Sequence, residues 1–149
     1  MFLKQGKTYF FLISFLLIAS AGMFAQQNVA DSLKRKLGFI NDSNKIILQR
    51  ELADAYLKYS PKSAIETAEE AHTLANQLGN DRLEAKALQS LGNINFKIGR
   101  SNDAIEYYEA ARKIYLKTGN TRAAGNCLNK IADAYMSTSQ YDEALSYSF

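Results

Sequence analysis

Small side chains recur in this sequence at one fixed interval. Ala64, Ala104 and Ala144 stand 40 residues apart. Ile65, Ile105 and Leu145 follow them, and Leu78-Gly79-Asn80 aligns with Thr118-Gly119-Asn120 at the same shift. Arg82 matches Arg122, Leu88 matches Leu128, Leu91 matches Ile131, Gly92 matches Ala132 and Ala71 matches Ala111. A period in this range signals a solenoid, whose units bury their apolar faces against one another.

Within each period the apolar spacing is helical. Leu83, Ala87, Leu88, Leu91, Ile94 and Ile98 share one stripe, and Ala104, Tyr108, Ala111 and Tyr115 share a second. Gly99 divides these runs, as Gly79 and Gly119 divide their neighbours. Glycine just past a helix end accepts the left-handed conformation that closes it. Ser60 before Pro61 suits a cap followed by proline in the first turn, and Ser101 precedes another start. Asp81 and Glu84 have capping-box spacing, with Asn80 as the alternative cap. The pattern predicts helices over about 43–59, 61–78, 81–98, 101–118, 121–138 and from 141 onward, with a shorter one at about 29–38.

The recurrent small residues have a mechanical reason. Two helices approach closely only where side chains are small. Ala53, Gly92 and Ala132 permit this on the first helix of each pair, and Ala64, Ala104 and Ala144 on the second. Tyr56 and Tyr135 supply bulk after the small residue. A large side chain at Ala104 is expected to overpack, at a cost of roughly 1–3 kcal/mol.

Composition narrows the function. The 149 residues carry a net charge of +3, or +1 once Lys4 and Lys7 are set aside. No basic stripe of the kind nucleic acid demands is present, so no nucleic-acid partner is expected. Cys127 and His72 are the single cysteine and histidine, which leaves no thiol–metal cluster and no histidine pair. Cys127 is expected to be a passive, semi-buried thiol and His72 a helix-surface residue. Gly79-Asn80-Asp81 lacks the Gly-Lys-Ser/Thr continuation of a phosphate loop. Glu69 and Glu70 are by default solvated helix charges. No catalytic residue, metal ligand or cofactor is assigned, and the residues present are not expected to form an enzyme.

The first 25 residues have the form of an export signal. Lys4 and Lys7 precede the nearly apolar run from Tyr9 to Ala21. That run is about 13 residues, short of the roughly 20 that span a bilayer. Cleavage after Ala21 fits the small-residue rule, and cleavage after Ala25 fits the segment Phe24-Ala25-Gln26. An uncleaved anchor is the rival reading. The resulting organisation is a signal at 1–25, a linker and capping helix at 26–42, and repeats at about 43–80, 81–120 and 121–149, the last incomplete. Leu33 and Leu37 are expected to pack the short helix on the first repeat. The other reading of 29–38 is a basic helix on acidic lipid.

Leu88 to Ala111 resembles a tetratricopeptide repeat (TPR): Leu88, Leu91, Gly92, Ala104, Tyr108 and Ala111 fall at the spacing of its signature. Leu128 to Ala144 resembles the next repeat through Leu128, Ile131, Ala132, Tyr135 and Ala144. Leu48 to Ala71 is a shorter first one, holding Ala53, Tyr56, Ala64 and Ala71. Leu88 and Leu128 stand where tryptophan is common, and Asn95 where tyrosine is usual. The closing proline is absent and the period exceeds the usual one of about 34. The resemblance implies an all-α, right-handed superhelical solenoid of antiparallel helix hairpins.

The resemblance further implies a concave face built by the first helix of each pair. Arg50, Asp54 and Lys58 would lie there from the first repeat. Lys86, Gln89, Asn93 and Lys97 would come from the second, and Asn126, Asn129 and Asp133 from the third. These polar, amide-rich side chains suit the backbone of an extended peptide. A plain solvated face would carry the same residue types. Asn93 occupies one place of the lysine–asparagine cluster by which some relatives grip a terminal carboxylate, but Arg50 and Asp54 do not complete it.

An export signal followed by such repeats also resembles the sensor proteins of Bacteroidota-type bacteria. These place the repeats before a membrane helix and a kinase or cyclase output. That reading expects a periplasmic or extracytoplasmic location in a Gram-negative-type cell and membrane attachment through a region beyond Phe149. The 40-residue shift predicts a last helix over 141–158, and self-association through the open final hairpin is a further expectation.

Overall fold

The computed structural model describes residues 27–37 and 41–147, and the segment expected to direct export lies outside them. Among the described residues the chain is helical throughout, with no strand. Helix α1 spans 27–37, followed by α2 (Asp42–Tyr56), α3 (Pro61–Gln77), α4 (Asp81–Lys97), α5 (Ser101–Lys117), α6 (Thr121–Ser137) and α7 (Tyr141–Tyr147). Successive helices from α2 to α7 pack on one another, and α2 also meets α4. The result is a stack of antiparallel hairpins, as the repeat predicts.

The turns recur as regularly as the helices. Gly79, Gly99 and Gly119 take positive φ of 60°, 82° and 75°. Ser139 takes φ 61° at the next equivalent place, a left-handed conformation held without glycine. Helices α3 to α6 are each 17 residues long. The capping differs between the two helices of a hairpin. Asn41, Asn80 and Asn120 cap α2, α4 and α6, each side chain accepting from a backbone N–H three residues on. Asn80, not Asp81, therefore caps α4. Ser60 precedes α3 but makes no side-chain cap; its hydroxyl pairs with that of Ser63 at 2.8 Å. Ser101 lies inside α5, buried, with its Oγ 2.8 Å from Ser137 Oγ.

The small residues are where the packing argument puts them. Ala53, Ala64, Ala71, Ala104 and Ala111 are fully buried, and Ala132 and Ala144 nearly so. Ala53, Ala64 and Ala68 pack with Leu91 and Ile94, joining the first repeat to the second. Leu88, Ala104, Tyr108, Ala111, Tyr115, Cys127 and Ile131 form the core between the second repeat and the third. Leu33 and Leu37 of α1 pack against Leu52 and Ala55 of α2, the cap expected from sequence. Tyr56 and Tyr135 are half-buried at the edges of these clusters, and Leu128 is half-buried. Asn95, where the repeat signature has tyrosine, is buried and folds back so that Nδ2 donates to Leu91 O at 2.9 Å.

Candidate functional site

The face formed by α2, α4 and α6 begins with residues one helical turn apart. On α4, Lys86, Gln89 and Asn93 are half-buried and Lys97 is exposed at the end of the helix. Arg50 is half-buried and Asp54 exposed on α2. Asn126, Asn129 and Asp133 are exposed on α6. Lys58 departs from expectation. Helix α2 ends at Tyr56 instead of about residue 59, so Lys58 lies in the turn before α3.

Two side chains from the second-helix layer reach this face. Tyr108 Oη donates to Asn93 Oδ1 at 3.0 Å, and Tyr115 Oη donates to Gln89 Oε1 at 3.1 Å. The carbonyl of each amide is thereby occupied, and its N–H₂ group remains as donor. Gln89 and Asn93 are thus positioned side chains tied to α5.

Charge gathers around the two tyrosines. Arg50 of α2 and Arg82 of α4 both act on the Tyr115 hydroxyl. Burial still dominates and pushes its pKa up, with Cys127 adding to the rise and the two arginines opposing it. Burial likewise pushes the Tyr108 hydroxyl up, assisted by Cys127 and Asp133. Lys130 Nζ lies 5.8 Å from the centroid of the Tyr108 ring. Arg50 Nε is buried without a hydrogen-bond partner. Among the described residues Arg50, Arg82 and Lys86 enter no ion pair.

Arg82, Lys130 and Tyr115 were not among the residues expected at this face. Arg82 had a readable signal, since it sits one turn before Lys86 on the same stripe. Tyr115 had none, because the equivalent place in the first repeat is Ala75.

The remaining chemistry-bearing residues are dispersed. Cys127 is fully buried, more so than expected, and burial pushes its thiol up to about 11. His72 Nε2 lies 3.8 Å from Glu84 Oε1 on the helix surface. No group of three or more metal-ligating side chains occurs among the described residues. No helix among them is long and apolar enough to cross a membrane.

The sequence profile of soluble NSF attachment proteins matches residues 25–147. The chain belongs to the soluble NSF attachment protein family. A soluble NSF attachment protein homolog of fowlpox virus (strain NVSL) is 28% identical over 115 residues, 76% of this chain. The chain spans 37% of that relative's length. Among solved structures, the TPR domain of Arabidopsis FLU is similar over 72% of this chain and 92% of its own, with TM-score 0.66 and 21% identity. A putative kinesin light chain with nearly identical TPR-like repeats from Podosopora anserina covers 82% of this chain, and 63% of its own length is covered in return; the TM-score is 0.67 and the identity 19%. BtubC (BKLC) from P. vanneervenii gives TM-score 0.66 at 20% identity, over 84% of this chain and 52% of its own. These likenesses place this member of the family in the TPR-like helical fold. It is a TPR-like helical repeat scaffold.

Proposed function

We propose that the chain binds a protein or peptide segment laid across the face of α2, α4 and α6. The observation that carries this reading is the pair of tyrosine–amide bonds at 3.0 and 3.1 Å. They hold Asn93 and Gln89 with their N–H₂ groups available to peptide carbonyls, so less side-chain entropy is lost on binding. Arg50, Arg82 and Lys86, free of ion pairs, add donors beside them. A displayed random-peptide library selected on the chain tests this. Selected peptides should protect backbone amides of α2, α4 and α6 from hydrogen exchange, and Asn93→Ala with Arg50→Glu should weaken them at least ten-fold. Protection confined to α3 and α5 would refute the reading.

A second reading adds where this happens. The basic start at Lys4 and Lys7 and the apolar run to Ala21 favour export across the cytoplasmic membrane. There the repeats would serve as the extracytoplasmic input of a membrane signalling protein carrying a kinase or cyclase. A fusion of the chain to alkaline phosphatase, active only after export, tests the location. A fusion active solely when residues 1–25 are replaced by a known signal would overturn it.

A further inference from the structure

The two amides fixed by tyrosines stand in opposite charge. Gln89 and Asn93 are one turn apart on α4, a rise of about 6 Å. Around Gln89 the charges are positive. Tyr115 Oη, which donates to Gln89 Oε1, lies within the field of Arg50 from α2 and Arg82 from α4. Lys86 stands between Arg82 and Gln89 on α4. Arg50 makes no ion pair and no hydrogen bond; its Nε is sealed, whereas its terminal nitrogens are not, so these are what a ligand meets.

Around Asn93 the charges are negative. Tyr108 Oη, which donates to Asn93 Oδ1, lies within the field of Asp133 from α6. Asp54 of α2 is the counterpart of Asn93 in the first repeat, as Asp133 is in the third. One row across the three helices thus reads Asp54, Asn93, Asp133, and the row one turn before it reads Arg50, Gln89, Asn129. Both aspartates are exposed and enter no ion pair among the described residues. Lys130, the cation one turn before Asp133, leans over the Tyr108 ring instead. Lys97 and Lys58 lie a turn farther out, the first exposed at the end of α4 and the second in the turn before α3. A ligand of a single sign would gain at one row and be repelled at the other.

We propose that the segment bound here is extended and dipolar, with an acidic side chain at the Arg50–Gln89 row and a basic one two residues away at the Asp54–Asn93–Asp133 row. This rests on the reading that the α2–α4–α6 face binds a peptide, and it assigns that peptide its chemistry. Residues two apart in an extended chain are separated by about 6.4–6.8 Å and turn their carbonyls the same way. That spacing is close to the rise between Gln89 and Asn93, so each N–H₂ group meets one carbonyl while the flanking side chains meet the charges.

The test uses the full chain and fluorescein-labelled, end-blocked peptides read by fluorescence anisotropy. The dipolar probe is Glu-Thr-Lys-Thr repeated three times. An acidic control carries glutamine in place of lysine, and a basic control carries glutamine in place of glutamate. The dipolar peptide should bind best, with each control weaker by about three-fold or more. Added salt should narrow the difference. Arg50→Gln should weaken the dipolar peptide and the acidic control but not the basic one. Asp133→Asn should weaken the dipolar peptide and the basic control but not the acidic one. A loss of folding cannot produce this crossed pattern. An acidic control that binds as well as the dipolar peptide, or variants that act alike on all three peptides, would overturn the dipolar assignment and leave peptide binding standing. So would failure of all three probes while library-selected peptides still bind. A chain that bound no peptide of any kind would sink both readings.

Discussion

Gly92 faces the ring of Tyr108 so closely that a Cβ on Gly92 would stand 2.5 Å from ring carbon Cε1. The two residues are matched in size. The first repeat has Ala53 and Ala68 at the same places, both fully buried in one cluster. A larger residue on one helix is offset by a smaller one on its partner, and the helices keep their separation.

Gly92→Ala is therefore expected to destabilise the fold by about 1–3 kcal/mol. In an exposed helix the same change would stabilise by up to about 1 kcal/mol through backbone entropy. Here the ring of Tyr108 is 1% exposed and its hydroxyl is held by Asn93, so it has little room to yield. Urea unfolding decides the sign. A midpoint equal to or above that of the parent would refute the size match. Gly92→Ala combined with Tyr108→Ala should lose less than the single changes sum to.

Two other glycines should respond in opposite senses. Gly125 lies within α6 and a Cβ there meets nothing within 4 Å, so Gly125→Ala should stabilise by about 0.5–1 kcal/mol. Gly119 has the same open space but a φ of +75°, and Gly119→Ala should destabilise by about 1–2 kcal/mol. Ser139, at φ 61°, should gain by a similar amount when replaced with glycine. Thermal midpoints followed by circular dichroism at 222 nm would check all three, and a common direction for Gly119→Ala and Gly125→Ala would contradict the turn geometry.

Alkaline pH should loosen the core at Cys127. The folded thiol keeps its proton until about 11, against a reference value of 9.0. Between these values the unfolded chain releases a proton that the folded one retains, so stability falls as pH rises. The stabilisation is fully present below pH 9 and lost on passing to pH 11. About 1–2 kcal/mol should go in this window. The raised Tyr108 and Tyr115 hydroxyls add to the loss above pH 10. Urea midpoints from pH 8 to pH 11 test this, with Cys127→Ala as the control. A parent and control that fall in parallel between pH 9 and pH 10 would rule out the thiol.

The architecture was legible because close packing demands small side chains in phase. Each of the four predicted helices from 61–78 to 121–138 ends one residue beyond the observed one, the extra residue being its C-cap. Capping was less legible. Serine and asparagine both suit a cap, and only the folded backbone shows Ser60 turning to Ser63 while Asn80 reaches Leu83. At the candidate face, the resemblance to a known repeat supplied the residues expected on α4 and α6. It misplaced Lys58, because α2 stops at Tyr56. It also missed the reach of Tyr108 and Tyr115, which has no echo in the first repeat, where Ala68 and Ala75 stand instead. Features that every unit shares are visible as periodicity, whereas a feature confined to one unit must be seen in three dimensions.

The equal rods α3 to α6, joined by left-handed corners, have a consequence for how such a chain changes over generations. A tandem duplication of any 40-residue stretch beginning at a corner returns each copied side chain to surroundings like those it left. Lengthening is thus mechanically cheap, and the copies are free to diverge at their outward positions. A single-residue insertion inside a rod turns everything beyond it by about 100° and breaks the register with both neighbours. This molecule can gain or lose whole modules far more readily than single links.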